Sequence, residues 1–264
     1  KITGAVPSEG RLGNPNGSLY FDADLDYIEI PHSESLSFEQ EDFTISEWLR
    51  YPDQTKTKNI TGSQGHKAGC LFAKSDPKSP HKGFPGVMMH ISSFYSNVKL
   101  RLTGLTAKGQ KEEAVHNDKG LFDDTWRHFV FQKRGKTLSI YINSIRVDSR
   151  EVSILDTYKN DSMIVIGANH SNRDSQNYRG RMDELRIYNR ALSAGEITAL
   201  YDLEKPSSET ASGTKKPGTL LWKSASSVWM APALGHDGTV YVAPIDRRIA
   251  ALDGKTGVEK WVFR

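Results

Sequence analysis

Several kinds of residue or run are scarce in this sequence. Cys70 is the single cysteine in 264 residues, which excludes an intrachain disulfide and a cysteine-based zinc cluster. The two signs of charge nearly balance, with 35 Lys and Arg against 32 Asp and Glu. Bulk electrostatics therefore give no indication of a nucleic-acid partner. No apolar run comes near the roughly 20 residues that a membrane-spanning helix needs, so the sequence predicts no membrane span.

Amphipathic helical periods are also nearly absent. In their place stand short runs rich in Val, Ile, Tyr, Phe and Trp, each bounded by turn residues. Such runs are typical of an all-β sandwich or barrel. Some runs carry apolar residues on both alternations, which predicts strands covered on both sides. The predicted runs are 19–30, 43–49, 98–102, 126–133, 138–143, 163–167 and 182–188.

Two turns and one helix complete the local pattern. Gly135 between two strand-like runs predicts a hairpin. Asn143–Ser144 predicts a second two-residue turn, although Ser is a weaker choice there because a type I′ turn needs positive φ at both positions. Ser193 followed by Glu196 has the spacing of a capping box ahead of an apolar face. We expect a short helix packed on one edge of the strands.

The composition changes after this helix. Residues 204–218 are rich in Pro, Gly, Ser, Thr and charge, which is typical of a linker. Residues 219–264 form several short strands, too few to bury enough apolar area as an isolated sheet. The sequence therefore predicts a domain at 1–203, a linker at 204–218 and a small unit at 219–264. Because the chain begins at Lys1 rather than Met, we expect a processed form or a piece of a longer protein.

Four segments of the first domain point to a known family. They are LYFDADLDYIEIP at 19–31, DFTISEWLR at 42–50, FDDTWRHFVFQKRGKTLSIYINSIRV at 122–147 and GRMDELRIYNRALSAGEITALYD at 180–202. In these segments and their order, residues 1–203 resemble the laminin-G-like (pentraxin-like) modules of the concanavalin A-like lectin/glucanase superfamily. The resemblance implies an all-β jelly-roll sandwich with a short C-terminal helix.

The same resemblance implies a function. We expect a non-catalytic, lectin-like module that binds a polysaccharide or glycan, in a protein that is secreted, periplasmic or on the cell surface. A structural or protein–protein adhesion module without a sugar ligand is one alternative. A glycan hydrolase or lyase of the same fold is another.

The last segment has a resemblance of its own. ALDGKTGVEKW at 251–261 resembles one blade of a quinoprotein-type (PQQ-like) β-propeller, with Val258 where that family usually has Lys. The resemblance implies that Trp261 packs between blades. A propeller needs about 4–8 blades, so the other blades are either missing from this chain or supplied by oligomerisation. One blade holds no complete quinone site, and we expect no PQQ cofactor.

Catalytic motifs are not evident. Glucanases of the superfamily carry E-x-D-x-x-E on one strand, where alternation brings two carboxylates together as nucleophile and acid. That string does not occur, and EQED at 39–42 lacks the downstream Glu. Motifs of serine hydrolases, zinc proteases and P-loops do not occur either. His128 lies in an apolar run and matches the family's structural histidine. The sequence therefore predicts that the chain is not an enzyme.

Glu47 is the most distinctive candidate for ligand binding. It stands where the family has a small residue, and alternation places it on the apolar side of its strand, opposite Trp48. A carboxylate there must be paired, for example with Arg50 or a neighbouring Lys, or must line a groove. Aromatic residues in or beside irregular segments could stack on sugar rings or could simply pack. These aromatic candidates are Tyr51, Phe94, Tyr95 and Tyr178.

Calcium is the one cofactor that we expect. DADLD at 22–26 begins like an EF-hand, but Tyr27 stands where Gly is required and no Glu follows at the twelfth position. The jelly-roll family often holds one structural Ca²⁺, and the resemblance implies Asp22 and Asp183 as its ligands. Alternatively, these two residues cap turns or pair with nearby arginines.

Overall fold

The chain divides into two units, Lys1–Ala211 and Ser212–Arg264. The computed structural model describes residues 1–22, 25–38, 42–52, 66–76, 86–94, 97–105, 111–121, 123–152, 158–169, 177–206, 233–235, 238–242, 249–254 and 256–263. The first unit is built from fourteen described strands and one helix. They are β1 Ile2–Thr3, β2 Val6–Ser8, β3 Ser18–Asp22, β4 Tyr27–Ile30, β5 Phe43–Arg50, β6 His66–Ser75, β7 Gly86–Phe94, β8 Asn97–Leu105, β9 Lys111–Asn117, β10 Trp126–Arg134, β11 Thr137–Ile142, β12 Ile145–Glu151, β13 Ile164–Ile166, β14 Arg179–Tyr188 and α1 Ala194–Glu204.

The strands form two seven-stranded sheets. One has the order β1-β4-β13-β6-β7-β8-β9 and the other the order β12-β11-β10-β5-β14-β3-β2. The strand pairings within both sheets are antiparallel. Consecutive strands are often not neighbours, as β5 lies between β10 and β14, which is the topology of a jelly roll rather than a meander. The predicted sandwich is confirmed.

Both predicted hairpin turns are present. Arg134 pairs with Thr137 across a turn in which Gly135 has a φ of 52°. Asn143 and Ser144 have φ values of 50° and 67°, so both adopt the left-handed conformation that a type I′ turn demands. Asn143 secures its turn twice, because its backbone N–H donates to the His128 carbonyl and its side-chain oxygen accepts from the His128 N–H.

The main core lies between the two sheets, because alternate residues of each strand face the opposite sheet. Phe43, Ile45 and Leu49 of β5 and Phe129 and Phe131 of β10 belong to it. The other side of the β5 sheet is covered by α1, where Ile197 packs with Val130, Tyr141 and Leu192 in a second cluster. The prediction of strands buried on both sides is confirmed.

Helix α1 begins at the predicted capping box. The Ser193 hydroxyl accepts from the Glu196 N–H at 3.2 Å, and the Glu196 carboxylate accepts from the Ser193 N–H at 2.7 Å. Two orphan donors of the first helical turn are thereby satisfied. Among the described residues, no helix is both long and apolar enough to cross a membrane.

The second unit contains a four-stranded antiparallel sheet made of β15 Ala233–Leu234, β16 Thr239–Val242, β17 Ile249–Asp253 and β18 Glu259–Phe263. Trp261 is half exposed and lies 6.0 Å from the ring of Tyr241. The described strands do not close into a propeller, so the PQQ-like repeat stays a prediction. Most of the predicted linker, 204–218, lies outside the described residues.

Candidate functional site

The inner face of β5 carries the predicted Glu47. This side chain is fully buried, and neither carboxylate oxygen has a hydrogen-bond partner among the described residues. Its neighbour on one side is Phe129 of β10. On the other side β14 has a β-bulge, because Glu184 and Leu185 both pass opposite this one residue. Of the alternatives that the sequence left open, the described part of the chain supplies neither a charged partner nor an open groove at Glu47.

Burial determines the ionisation of this region. Desolvation raises the pKa of Glu47 to about 8, because an ionised carboxylate without partners is strongly disfavoured in the core. Burial, with the nearby Glu47 as a smaller cause, raises the pKa of the Cys70 thiol to about 12. Burial, followed by Tyr51 and Glu47, also raises the pKa of the Tyr178 phenol. These groups are therefore neutral at pH 7, and the thiol is not a reactive thiolate.

Two of the predicted aromatic residues lie in the same part of the core. Tyr51 and Tyr178 pack edge to face, with ring centroids 4.9 Å apart. The Tyr178 hydroxyl donates to the carbonyls of Arg50 and Arg181. Both rings are buried and have no exposed face for stacking on a sugar. The Phe94 side chain and Tyr95 lie outside the described residues. Ligand contact by these aromatic residues stays a prediction.

The outer face of β5 is organised around Trp48. Its ring stacks on His128 of β10, with centroids 5.2 Å apart, and on Tyr201 of α1, with centroids 5.8 Å apart. Its indole N–H donates to Glu204 Oε2 at 2.8 Å. Glu204, at the end of α1, also forms an ion pair with Arg186 of β14. The helix is therefore fixed to the sheet by aromatic packing and by a buried carboxylate.

Arg11, in the N-terminal segment, packs against Trp48 on the outer face of β5. Its guanidinium lies 5.4 Å from the centre of the Trp48 ring, donates to Asp183 Oδ2 at 2.8 Å and donates to the Glu204 carbonyl at 2.8 Å. Burial, followed by the charges of Arg186 and Arg11, lowers the pKa of His128 to about 4. A neutral, buried histidine hydrogen-bonded to Ser46 has the geometry of a structural residue.

The two predicted calcium ligands lie apart. Asp22 pairs with Arg179, whereas Asp183 lies four residues further along β14 and pairs with Trp48. At about 3.3 Å per residue their Cα atoms are some 13 Å apart, whereas Ca²⁺ binds its oxygens at about 2.3–2.6 Å. As a pair they do not fit one ion, and Asp183 already accepts from Arg11. No group of three or more metal-ligating side chains occurs in the described part of the chain, and calcium binding stays a prediction.

A groove that the sequence did not predict lies along the open side of the sandwich. It occupies about 410 Å³ between β9 and β12, the edge strands of the two sheets. We call it the edge groove; its charged residues are Lys111, Glu112, Glu113, Arg150 and Glu151. The signal in the sequence is the run of charges in KEE at 111–113 and RE at 150–151, a pattern common on edge strands. Sequence alone does not show that these two edges face each other.

Comparison with known proteins identifies the family. The Laminin_G_3 family, described as concanavalin A-like lectin/glucanases superfamily, matches residues 22–198, which is more than half of the chain. The chain belongs to this superfamily. The predicted family of the first domain is thereby confirmed.

The relatives include bacterial toxins. Paraclostridial mosquitocidal protein 1 from Paraclostridium bifermentans is 26% identical over 178 residues, which cover 66% of this chain and 13% of that protein. The crystal structure of its binding domain superimposes with a TM-score of 0.56 at 24% identity, covering 76% of this chain and 46% of that domain. The present chain therefore spans a small part of the whole toxin and under half of its binding domain.

Two sugar-bound structures share the fold. One is the botulinum neurotoxin serotype D ligand-binding domain in complex with N-acetylneuraminic acid (TM-score 0.54, 14% identity, covering 77% of this chain and 46% of that one). The other is domain 4 of AbnA, a GH43 extracellular arabinanase from Geobacillus stearothermophilus, in complex with arabinotriose (TM-score 0.51, 17% identity, covering 75% of this chain and 82% of that one). At these identities the comparison shows a shared fold and nothing more.

Proposed function

We propose that the first unit is a non-catalytic carbohydrate-binding module of an extracellular protein. The observation that carries the proposal is the superfamily sandwich itself, which matches residues 22–198. The arabinotriose complex gives further support, because the likeness covers 82% of that sugar-bound chain. The sialic acid complex gives less support, because the likeness covers 46% of its chain and the sugar need not lie in the shared part.

The charged side chains support binding rather than hydrolysis. A glycosidase needs one carboxylic acid whose pKa is raised so that it can protonate the leaving group. Glu47 has such a raised pKa but is sealed in the core. In the edge groove, burial alone would raise the pKa of Glu113, but hydrogen bonds from Lys111 and Thr103 outweigh it and lower that pKa. Glu113 is therefore an ionised acceptor and not a proton donor.

A glycan array probed with the full chain tests the proposal, followed by calorimetry on the strongest sugars. We expect Kd values in the high micromolar to millimolar range, because a shallow polar site yields little net free energy after ordering costs. Absence of binding to every glycan would reject the proposal and favour the adhesion module. Release of reducing ends from a bound polysaccharide would instead favour the hydrolase.

Calcium dependence is a separate part of the proposal, supported by the family resemblance alone. A structural ion stabilises the folded state by mass action, so Ca²⁺ would raise the melting temperature by several degrees over that in a chelator. Mg²⁺ would do much less because it demands tighter octahedral geometry. Identical melting curves in chelator and in millimolar Ca²⁺ would remove calcium from the proposal and leave glycan binding to be judged by the array.

A further inference from the structure

The edge groove is large enough and polar enough to hold a small ligand. Its volume of about 410 Å³ lies within the range of roughly 300–1,000 Å³ that is usual for small-molecule sites. It lies between two sheet edges, where no further strand in the described residues uses the outward backbone groups of β9 and β12. The groove is thus a place where backbone and side-chain polar groups are both available.

The walls of the groove are held in place by hydrogen bonds. Asp148 of β12 reaches across to β9, where its carboxylate accepts from the Val115 N–H at 2.8 Å. Buried Glu112 accepts from the Tyr158 hydroxyl at 2.6 Å, and Lys111 forms an ion pair with Glu113 at 2.7 Å. The Asp148 contact fixes the spacing of the two edges, and the other two contacts hold side chains of β9 in place. The site is therefore preorganised without a ligand.

Two side chains of the edge groove have no partner among the described residues. Arg150 and Glu151 are exposed at the end of β12, and their side chains make no hydrogen bond or ion pair with the residues that the structure describes. Arg150 pairs with Leu138, as Asp148 pairs with Ile140, so Arg150 and Asp148 share the face of β12 that is turned toward the opposite sheet. Glu151 is the next residue of β12 and pairs with Thr137, so its side chain lies on the other face of the strand. Both residues line the groove, which therefore has an unengaged guanidinium at one face of the edge strand and an unengaged carboxylate at the other.

The mixture of charges selects the class of ligand. Carboxylates accept hydrogen bonds and guanidinium and ammonium groups donate them, whereas a sugar hydroxyl does both. A neutral sugar can therefore accept from Arg150 and donate to the carboxylates that line the groove. An anionic sugar would place its carboxylate beside Glu112, Glu113 and Glu151, which repel it. We propose that the edge groove binds a neutral oligosaccharide through its hydroxyl groups, an inference that rests on the proposed carbohydrate-binding function.

The experiment is an NMR titration of the full chain with arabinotriose, N-acetylneuraminic acid and the strongest neutral oligosaccharide from the glycan array. The methyl groups of Val115 and Val152, which line the groove, report on the site directly. Arg150→Ala removes the unengaged guanidinium. Arg146→Ala, an exposed arginine on the same strand that does not line the groove, is the matched control.

We expect the neutral sugars to shift the Val115 and Val152 methyl signals. Arg150→Ala should weaken binding about tenfold, as expected for a lost hydrogen bond from a charged group. Arg146→Ala should leave the Kd unchanged. N-acetylneuraminic acid should bind at least several-fold more weakly than the neutral sugars.

Three results would overturn the inference in distinguishable ways. Glycan binding that leaves both valines and the Arg150→Ala Kd unchanged would reject the edge groove and leave the proposed function standing. Stronger binding of N-acetylneuraminic acid at these valines would reject the neutral class of ligand. No binding to any glycan on the array would reject the proposed function, and the inference with it.

Discussion

The two faces of β5 give a buried carboxyl group different surroundings. On the inner face, Glu47 is sealed between the sheets and has no hydrogen bond among the described residues. On the outer face, Glu204 is also buried but accepts from the Trp48 indole and forms an ion pair with Arg186. Trp48 is the next residue after Glu47 in the chain, so one peptide unit separates the two environments.

The difference lies in the partners that each carboxyl group finds. On the outer face, the Trp48 indole and the Arg186 guanidinium compensate for the desolvation of the Glu204 side chain. On the inner face, the described residues supply no partner for Glu47, so its carboxyl keeps its proton and its pKa rises to about 8. The outer face is thus a network that ties helix, strand and N-terminal segment together, whereas on the inner face of β5 Glu47 is a neutral polar group among apolar residues.

Glu204→Ala should have the largest effect on stability. It leaves the buried Trp48 N–H without its acceptor. It also removes one of two carboxylate partners of Arg186, which is about a third exposed and still pairs with Glu184. We expect the free energy of unfolding in urea to fall by about 2–3 kcal/mol. Asp202→Ala, which removes a half-exposed carboxylate of the same helix paired with Lys205, is the matched control and should cost under about 0.5 kcal/mol. Equal effects of the two variants would show that the outer network does not stabilise the fold.

Glu47→Gln should remove a pH dependence. The unfolded chain loses this proton near pH 4.5 and the folded chain near pH 8, so between these values the folded state binds more protons and stability falls as pH rises. The fall is about 1.4 kcal/mol per pH unit. It stops above pH 8, where both states are ionised.

Urea unfolding from pH 7 to 9 measures this slope, because the range begins above the pKa of about 6.5 of an unfolded histidine, where most of these side chains are neutral. The wild type should lose stability up to about pH 8, and Glu47→Gln should lose about 1.4 kcal/mol per pH unit less. Glu34→Gln, at a carboxylate that is 85% exposed, should keep the wild-type slope. A Glu47→Gln protein with that same slope would mean that Glu47 is ionised in the folded state and that the two faces do not differ.

Local features of the structure could be predicted from the sequence. The strands follow from apolar alternation, and the capping box follows from the three-residue spacing of Ser193 and Glu196. Alternation also places Glu47 on the core side and Trp48 opposite it. The turn at Asn143–Ser144 was predictable from its two-residue length between two strands. Residue type was a weaker signal, because Ser adopts a positive φ there although it is a poor residue for that conformation. These signals act within one strand or one turn and need no tertiary information.

Partners from distant parts of the chain could not be predicted. Asp183 pairs with Arg11, 172 residues away, whereas the sequence suggested calcium or a nearby arginine. Likewise, Glu47 has no partner among the described residues because of what the opposite sheet presents to it. Predicting the edge groove requires the strand order of both sheets. The groove forms because β9 is the edge strand of one sheet and β12 the edge strand of the other. Sheet order and register bring these residues together, and periodicity carries no information about either.

Ser193→Ala should have the smallest effect and tests how much the helix contributes to the outer face. The variant loses the hydroxyl that accepts from the Glu196 N–H, so the first turn of α1 should fray and the unfolding free energy should fall by about 1 kcal/mol. Ser33 precedes a short 3₁₀ turn and makes no capping bond with its side chain, so Ser33→Ala is the control and should be nearly neutral. Amide hydrogen exchange should quicken at the start of α1, near Ile197, and not at Tyr201, because Tyr201 stacks on Trp48. Suppose instead that exchange quickens along the whole helix and that the unfolding free energy falls nearly as much as in Glu204→Ala. The cap, and not the packing of α1 on Trp48, would then hold the helix on the sheet.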